Sequence, residues 1–157
     1  MTTAYYDTSY LLKLQLMEVG SAEVLSHACT VDVIFCSLHG RAEFVSACHR
    51  KVRERQATLI QLQAMLAQTH ADTAAGALKW LPVTESLIEH VEHIFSTAPS
   101  DTFLRAADAM HLACAAGHGF TEIYSNDRHL LAAAPLFGLV GVNRFPMIEK
   151  AQDQHLG

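Results

Sequence analysis

Short strand-forming runs alternate with longer helical stretches along nearly the whole chain, and this alternation constrains the fold more than any other feature of the sequence. Residues 3–6, 31–36, 78–83, 122–126 and 139–142 read as strands from their apolar, β-branched and aromatic content. Helical periodicity predicts helices over 9–17, 21–27, 38–69 (as two packed helices), 84–96, 101–117 and 128–134. Ser37 and Thr84 offer N-caps, Gly117 and Gly119 a firm stop, and Pro82 suits an edge strand because it lacks an N–H. Strands separated by helices pair in parallel through right-handed crossovers, with helices on both faces. The expected class is therefore α/β, with a central, mostly parallel sheet flanked by α-helices.

A length of 157 residues, half of them hydrophobic, suits one compact domain with a substantial core. That domain is expected over 1–145, with a C-terminal tail over 146–157. Charges interrupt every apolar stretch well short of the roughly 20 residues a membrane span needs, and acidic Asp7 follows the start without a basic leader. A soluble, cytoplasmic protein with no membrane partner is expected. Cys29, Cys36, Cys48 and Cys114 are scattered without a Cys-x-x-Cys pair and read as small core residues. The net charge of −5 argues against a strong nonspecific grip on nucleic acid, although residues 41–55 carry one basic cluster.

Four carboxylates stand out against this frame. Asp7 and Asp127 each close a strand and open a helix, which puts both at strand carboxyl ends, where ligands bind in parallel sheets. Asp108 lies on an apolar helical stripe with Leu104, Leu112 and Ala115, and a carboxylate there must protonate, pair or bind a metal. Arg105 and His111, one turn away, are its alternative partners. Glu43 sits among Gly40, Ala42, Ser46 and Ala47, small residues that leave room for a cavity, although alone it reads as a solvated helix acid. Oxygen ligands of this kind suit Mg²⁺ or Mn²⁺. Two such ions would allow one to activate water while the other stabilises a leaving oxygen.

Four segments, taken in order, resemble the motifs of the PIN-domain ribonucleases, and within them the VapC-type toxins of bacterial toxin–antitoxin pairs. They are Tyr6-Asp7-Thr8-Ser9-Tyr10-Leu11, Ser37 to Phe44 with its helical Glu43, Leu104 to Ala113 around Asp108, and Ser125-Asn126-Asp127-Arg128. The resemblance implies a PIN-like fold and a metal-dependent endoribonuclease that hydrolyses RNA with metal-activated water. It implies Asp7, Glu43, Asp108 and Asp127 as catalytic ligands of Mg²⁺ or Mn²⁺, with Ser9 behind Asp7, and Ser125 and Asn126 near Asp127. Arg41, Arg50, Lys51, Arg53 and Arg55 would track RNA backbone. A homodimer and a VapB-like antitoxin partner are further implications, with DNA contacted only through the antitoxin. A housekeeping RNA-processing nuclease and a non-catalytic PIN-like binding protein are the alternative readings.

Other sites are weaker. His90 and His93 have ligand-like i, i+3 spacing but no third ligand, and an exposed polar helix face explains them. His111 reads as a packed or hydrogen-bonded helix residue, and His39 is open. An aspartyl-nucleophile phosphatase would want a second acid where Ser9 stands, and a phosphorelay receiver would need a central Asp and a late Lys.

Overall fold

A computed structural model describes residues 1–146. The expected tail beyond residue 146 lies outside the described residues. The elements run β1 (Thr3–Tyr5), α1 (Thr8–Gln15), α2 (Ser21–Ala28), β2 (Val33–Ser37), α3 (Leu38–Arg53), α4 (Leu59–Ala74), β3 (Leu78–Leu81), α5 (Glu85–Thr97), α6 (Ala106–Gly117), β4 (Glu122–Tyr124), α7 (Arg128–Ala133), a 3₁₀ turn (Ala134–Phe137) and β5 (Val140–Val142). Every strand pair is parallel: β1 with β2 (Thr3 opposite Val33), β2 with β3 (Ile34 opposite Leu78) and β4 with β5 (Glu122 opposite Val140). A parallel bridge between Tyr6 and Tyr124, with Asp7 N–H donating to Tyr124 O at 3.1 Å, joins the two sets. The resulting order is 3-2-1-4-5, and it reverses direction between β1 and β4. In open parallel sheets that reversal leaves a crevice beyond the strands' carboxyl ends.

Side-chain alternation along the strands divides the core in two. Tyr5 and Ile123 point to the face covered by α5 and α6, among Leu87, Val91, Ile94, Leu112 and Leu130. Ala4, Tyr6 and Tyr124 point to the other face, among Tyr10, Val24, Phe44 and Met65. Each fully buried side chain of this size contributes about 1.5–3 kcal/mol.

Several boundaries differ from expectation, each for a local reason. β2 begins at Val33, because Asp32 turns aside to accept from Thr2 N–H and Thr2 Oγ1–H at 2.7 and 2.9 Å. The long helical region breaks at Arg55, which has φ +59°, and restarts at a Thr58/Gln61 capping box. β3, an edge strand, stops at Leu81, before Pro82. Residues 101–105 are not helical; α6 starts at Ala106, behind an extended Arg105. Thr84 caps α5 as expected, whereas Ser37 occupies the N-cap position of α3 without capping it and instead bonds His39 Nδ1 at 2.6 Å. Cys36, Cys48 and Cys114 are buried, but Cys29, at the end of α2, is exposed. No described helix is long and apolar enough to cross a membrane.

Candidate active site

Asp7 and Asp127 are helix N-caps before they are anything else. Asp7 Oδ1 accepts from Tyr10 N–H (3.1 Å), closing the first turn of α1, and Asp127 Oδ1 accepts from His129 and Leu130 N–H (2.8 and 3.1 Å), closing that of α7. A carboxylate at a helix N-terminus satisfies orphan amides and meets the positive end of the helix dipole. Because β1 and β4 are neighbours, the two caps stand side by side at the switch point. Ser9 Oγ donates to Asp7 Oδ1 (2.6 Å) and Ser125 Oγ donates to Asp7 Oδ2 (2.5 Å). Ser125, expected beside Asp127, thus gives its proton to Asp7 and only accepts from the Asp127 N–H (2.9 Å). Asn126 takes part through its backbone N–H, which donates to Ser9 Oγ (3.2 Å).

Glu43 reaches the same region from α3, and a close approach of two helices makes this possible. A Cβ on Gly40 would lie 2.6 Å from Cys36 Sγ and 2.8 Å from His111 Cε1, so only glycine lets the His111 ring lie against α3. His111 is buried within a hydrogen-bond chain. Ser37 N–H donates to Tyr5 Oη (3.0 Å), which leaves the phenol proton for His111 Nδ1 (2.9 Å). The tautomer follows from that network: Nε2 carries the ring proton and donates it to Glu43 Oε1 (2.6 Å). Thr8 Oγ1 donates to the same oxygen at 3.0 Å. Burial raises the Glu43 carboxyl, but the hydrogen bond from His111, the neighbouring His39 and the Thr8 hydroxyl outweigh it, and the net displacement is downward.

Asp108 and Asp127 share a cation. Arg105 Nε donates to Asp108 Oδ2 (2.9 Å) and its Nη2 to Asp127 Oδ2 (2.8 Å). Of the partners anticipated for Asp108, Arg105 is the one engaged. Burial still pushes the Asp108 carboxyl above the ordinary aspartate range against the lowering effect of Arg105. Asp7, with no cation in direct contact among the described residues, is raised by burial against His111, Ser125, Ser9 and the Tyr10 amide. Among the described residues, the one trio offering ligating atoms within 4.8 Å of one another is His39, Glu43 and His111, and the four acids form no such trio. Both imidazole Nε2 atoms of that trio are occupied: that of His111 by Glu43, and that of His39 as donor to Ala107 O at 3.0 Å. Burial, then His111, lowers His39 to about 4, so it is neutral near pH 7.

All four acids line one open cleft of about 580 Å³, with Thr8, Ser9, Glu18, Arg50, Lys51 and Arg105. Of the expected basic residues, only Arg50 and Lys51 border it. Arg41 lies over the Trp80 ring on another face, and exposed Arg53 and Arg55 stand clear of the cleft. Helical phase separates them: Ala47, Arg50 and Lys51 follow Glu43 at i+4, i+7 and i+8, whereas Arg41 points elsewhere. Sequence reasoning missed Glu18, which pairs with Lys13 (2.9 Å) and Lys51 (3.2 Å) at the cleft edge, and it missed Thr8 and Tyr5. His90 packs on Phe137, and no ligand trio forms around it among the described residues.

Comparison with known proteins agrees with this fold. The PIN domain family model matches residues 4–135. Mycobacterium tuberculosis VapC20, described as a toxin that cleaves the sarcin–ricin loop, superposes with a TM-score of 0.65 at 17% identity, over 83% of this chain and 94% of its own. VapBC2 from Rickettsia felis, bound to a DNA fragment from its promoter, gives 0.63 at 11% identity over 90% and 98%. FitAB bound to an IR36 DNA fragment gives 0.62 at 16% identity over 95% and 99%. At these identities the likeness is one of fold. No curated protein sequence matches this chain.

Proposed function

The chain belongs to the PIN domain family, and on that premise we propose that it is a divalent-metal-dependent endoribonuclease acting as the toxin of a toxin–antitoxin pair. The observation that carries this reading is the convergence of Asp7, Glu43, Asp108 and Asp127, from four separate elements, on one solvent-open cleft at the sheet's switch point. Their donor set is all oxygen, which fits a hard cation such as Mg²⁺ or Mn²⁺ that keeps several waters. Bound there, the metal would supply an activated water and neutralise charge on the phosphate under attack.

The chain's own residues do the rest. Ser9 and Ser125 hold both oxygens of Asp7 in place, so the buried carboxylate keeps one orientation while the cleft fills. The Tyr5–His111 chain and Thr8 hold Glu43, and keep it ionised, by donating to it. Arg50 and Lys51 on the α3 wall attract a polyanion toward the acids, offsetting the negative charge of the four carboxylates. The likeness to an RNA-cleaving toxin supports RNA as substrate. The likeness to assemblies bound to DNA supports a VapB-like antitoxin as partner, with DNA contacted through the antitoxin. A homodimer working in the cytoplasm completes the reading.

The test is incubation of purified, antitoxin-free protein with a mixed pool of structured RNAs in Mg²⁺, Mn²⁺ or EDTA, comparing wild type with Asp108→Asn. Cutting that needs metal and disappears in the variant is expected. Cutting that persists in Asp108→Asn or in EDTA would sink the assignment.

A further inference from the structure

Asp127 has one oxygen to spare. Its Oδ1 accepts two backbone amides of α7, so a cation approaching this carboxylate must take Oδ2, and Arg105 already holds Oδ2. The same guanidinium holds Asp108 Oδ2. These two are its ion pairs among the described residues. Its side chain is 60% exposed, reaching over the cleft mouth from an extended residue ahead of α6. Although Asp108 and Asp127 are largely buried, the cation that pairs with them stands in solvent and is free to exchange. A guanidinium is also the side chain best shaped to grip a phosphate with two hydrogen bonds.

We propose that Arg105 is an exchangeable counter-cation: it bridges Asp108 and Asp127 while the metal site is empty, yields both carboxylates to a divalent metal, and then takes a phosphate of the RNA. The inference rests on the nuclease reading above and gives this side chain a role of its own. Arg105 keeps two repelling carboxylates together in the metal-free protein, so the site is preformed yet closed to substrate phosphate. Metal entry and phosphate capture are thereby coupled, because one event frees the group that performs the other. From α3, Arg50 and Lys51 line the same cleft, so the released guanidinium adds to the positive charge around the acids.

The experiment measures Mn²⁺ binding to metal-free protein by titration calorimetry, for wild type, Arg105→Gln, Arg105→Lys and Asp108→Asn, with thermal melts to confirm folding. Removing the solvent-exposed cation that competes for both carboxylates should tighten Mn²⁺ binding in Arg105→Gln by about 5-fold, with Arg105→Lys in between. In parallel, a fluorescein-labelled structured RNA in Mn²⁺ at low temperature, scored only while intact, should bind Arg105→Gln more weakly. The salt dependence of that binding should be shallower by about 0.7 in log–log slope, one phosphate contact on a single strand. Unchanged or weaker Mn²⁺ binding in Arg105→Gln, or unchanged RNA affinity in Mn²⁺, overturns the exchange. Failure of wild type to bind Mn²⁺, or full binding by Asp108→Asn, instead overturns the metal-site reading itself and the exchange with it.

Discussion

Gly40→Ala isolates the contact that seats Glu43. The new methyl would stand 2.6 Å from Cys36 Sγ and 2.8 Å from His111 Cε1. Ordinary carbon contacts are about 3.5–4.0 Å, so both neighbours must retreat by roughly 1 Å in a close-packed layer. Overpacking of that order costs about 1–3 kcal/mol, while alanine's better helix propensity returns about 1 kcal/mol. The net expectation is a loss of about 1 kcal/mol and at most about 2, which lowers Tm by about 2–4 °C, and by at most about 8 °C, for a chain of this size. The assay is thermal unfolding in EDTA, followed by circular dichroism, together with the ring-nitrogen NMR signals of His111. In Gly40→Ala the Nε2–H signal should shift or broaden as the hydrogen bond to Glu43 lengthens. Cys36→Ala in the same background should restore part of the lost Tm by removing one of the two obstructions. A variant that melts at or above wild type, with the His111 signals unmoved, would refute the argument that glycine is required for α3 to approach α6.

Further outcomes follow from other contacts. His111→Asn removes the donor that fixes Glu43, and RNA cleavage should fall by about 10–100-fold while Asp7, Asp108 and Asp127 still bind Mn²⁺; wild-type turnover would show that the ring only fills space. Glu18 is raised by burial but lowered more by Lys13 and Lys51, so its folded pKa lies below the ordinary value of 4.5. The stability it contributes is therefore present above about pH 4.5 and is lost as pH falls through the folded value. Glu18→Gln should cost about 1–2 kcal/mol at pH 7, because Lys13 is left buried without its partner, and the gap to wild type should close in urea melts as pH falls through the folded value. Arg50→Ala should weaken RNA binding and flatten its salt dependence by about 0.7, whereas Arg41→Ala, on another face, should leave both unchanged; equal effects would mean that RNA does not follow the cleft.

The parts of the site that were legible in the sequence are those governed by local rules. A strand followed at once by Asp and a helix announces both a carboxyl-end position and a cap, and Asp7 and Asp127 stand in that setting. The apolar stripe around Asp108 announces a buried acid that needs a partner, and Arg105 supplies one. Non-local arrangement was not legible. That β1 and β4 are neighbours depends on a single bridge between residues far apart in the chain, so nothing near Ser125 reveals that its hydroxyl serves Asp7. α6 starts later than its periodicity suggests because Arg105 pairs with Asp127, 22 residues on, and the chain ahead of it turns over residues 99–102, closed by Thr102 N–H to Pro99 O. The basic residues of α3 do not form one surface, because the 3.6-residue period divides Arg50 and Lys51 from Arg41.

The double duty of the outer acids has an evolutionary consequence. Asparagine caps a helix about as well as aspartate, because its amide oxygen accepts the same backbone N–H groups. An Asp-to-Asn exchange at position 7 or 127 would leave α1 or α7 capped while removing a charge from the cleft. The codons for the two residues differ by one base. Lineages of such a chain can therefore lose a carboxylate from the cleft in a single step with the helix start still capped, and stability alone will not reveal the change.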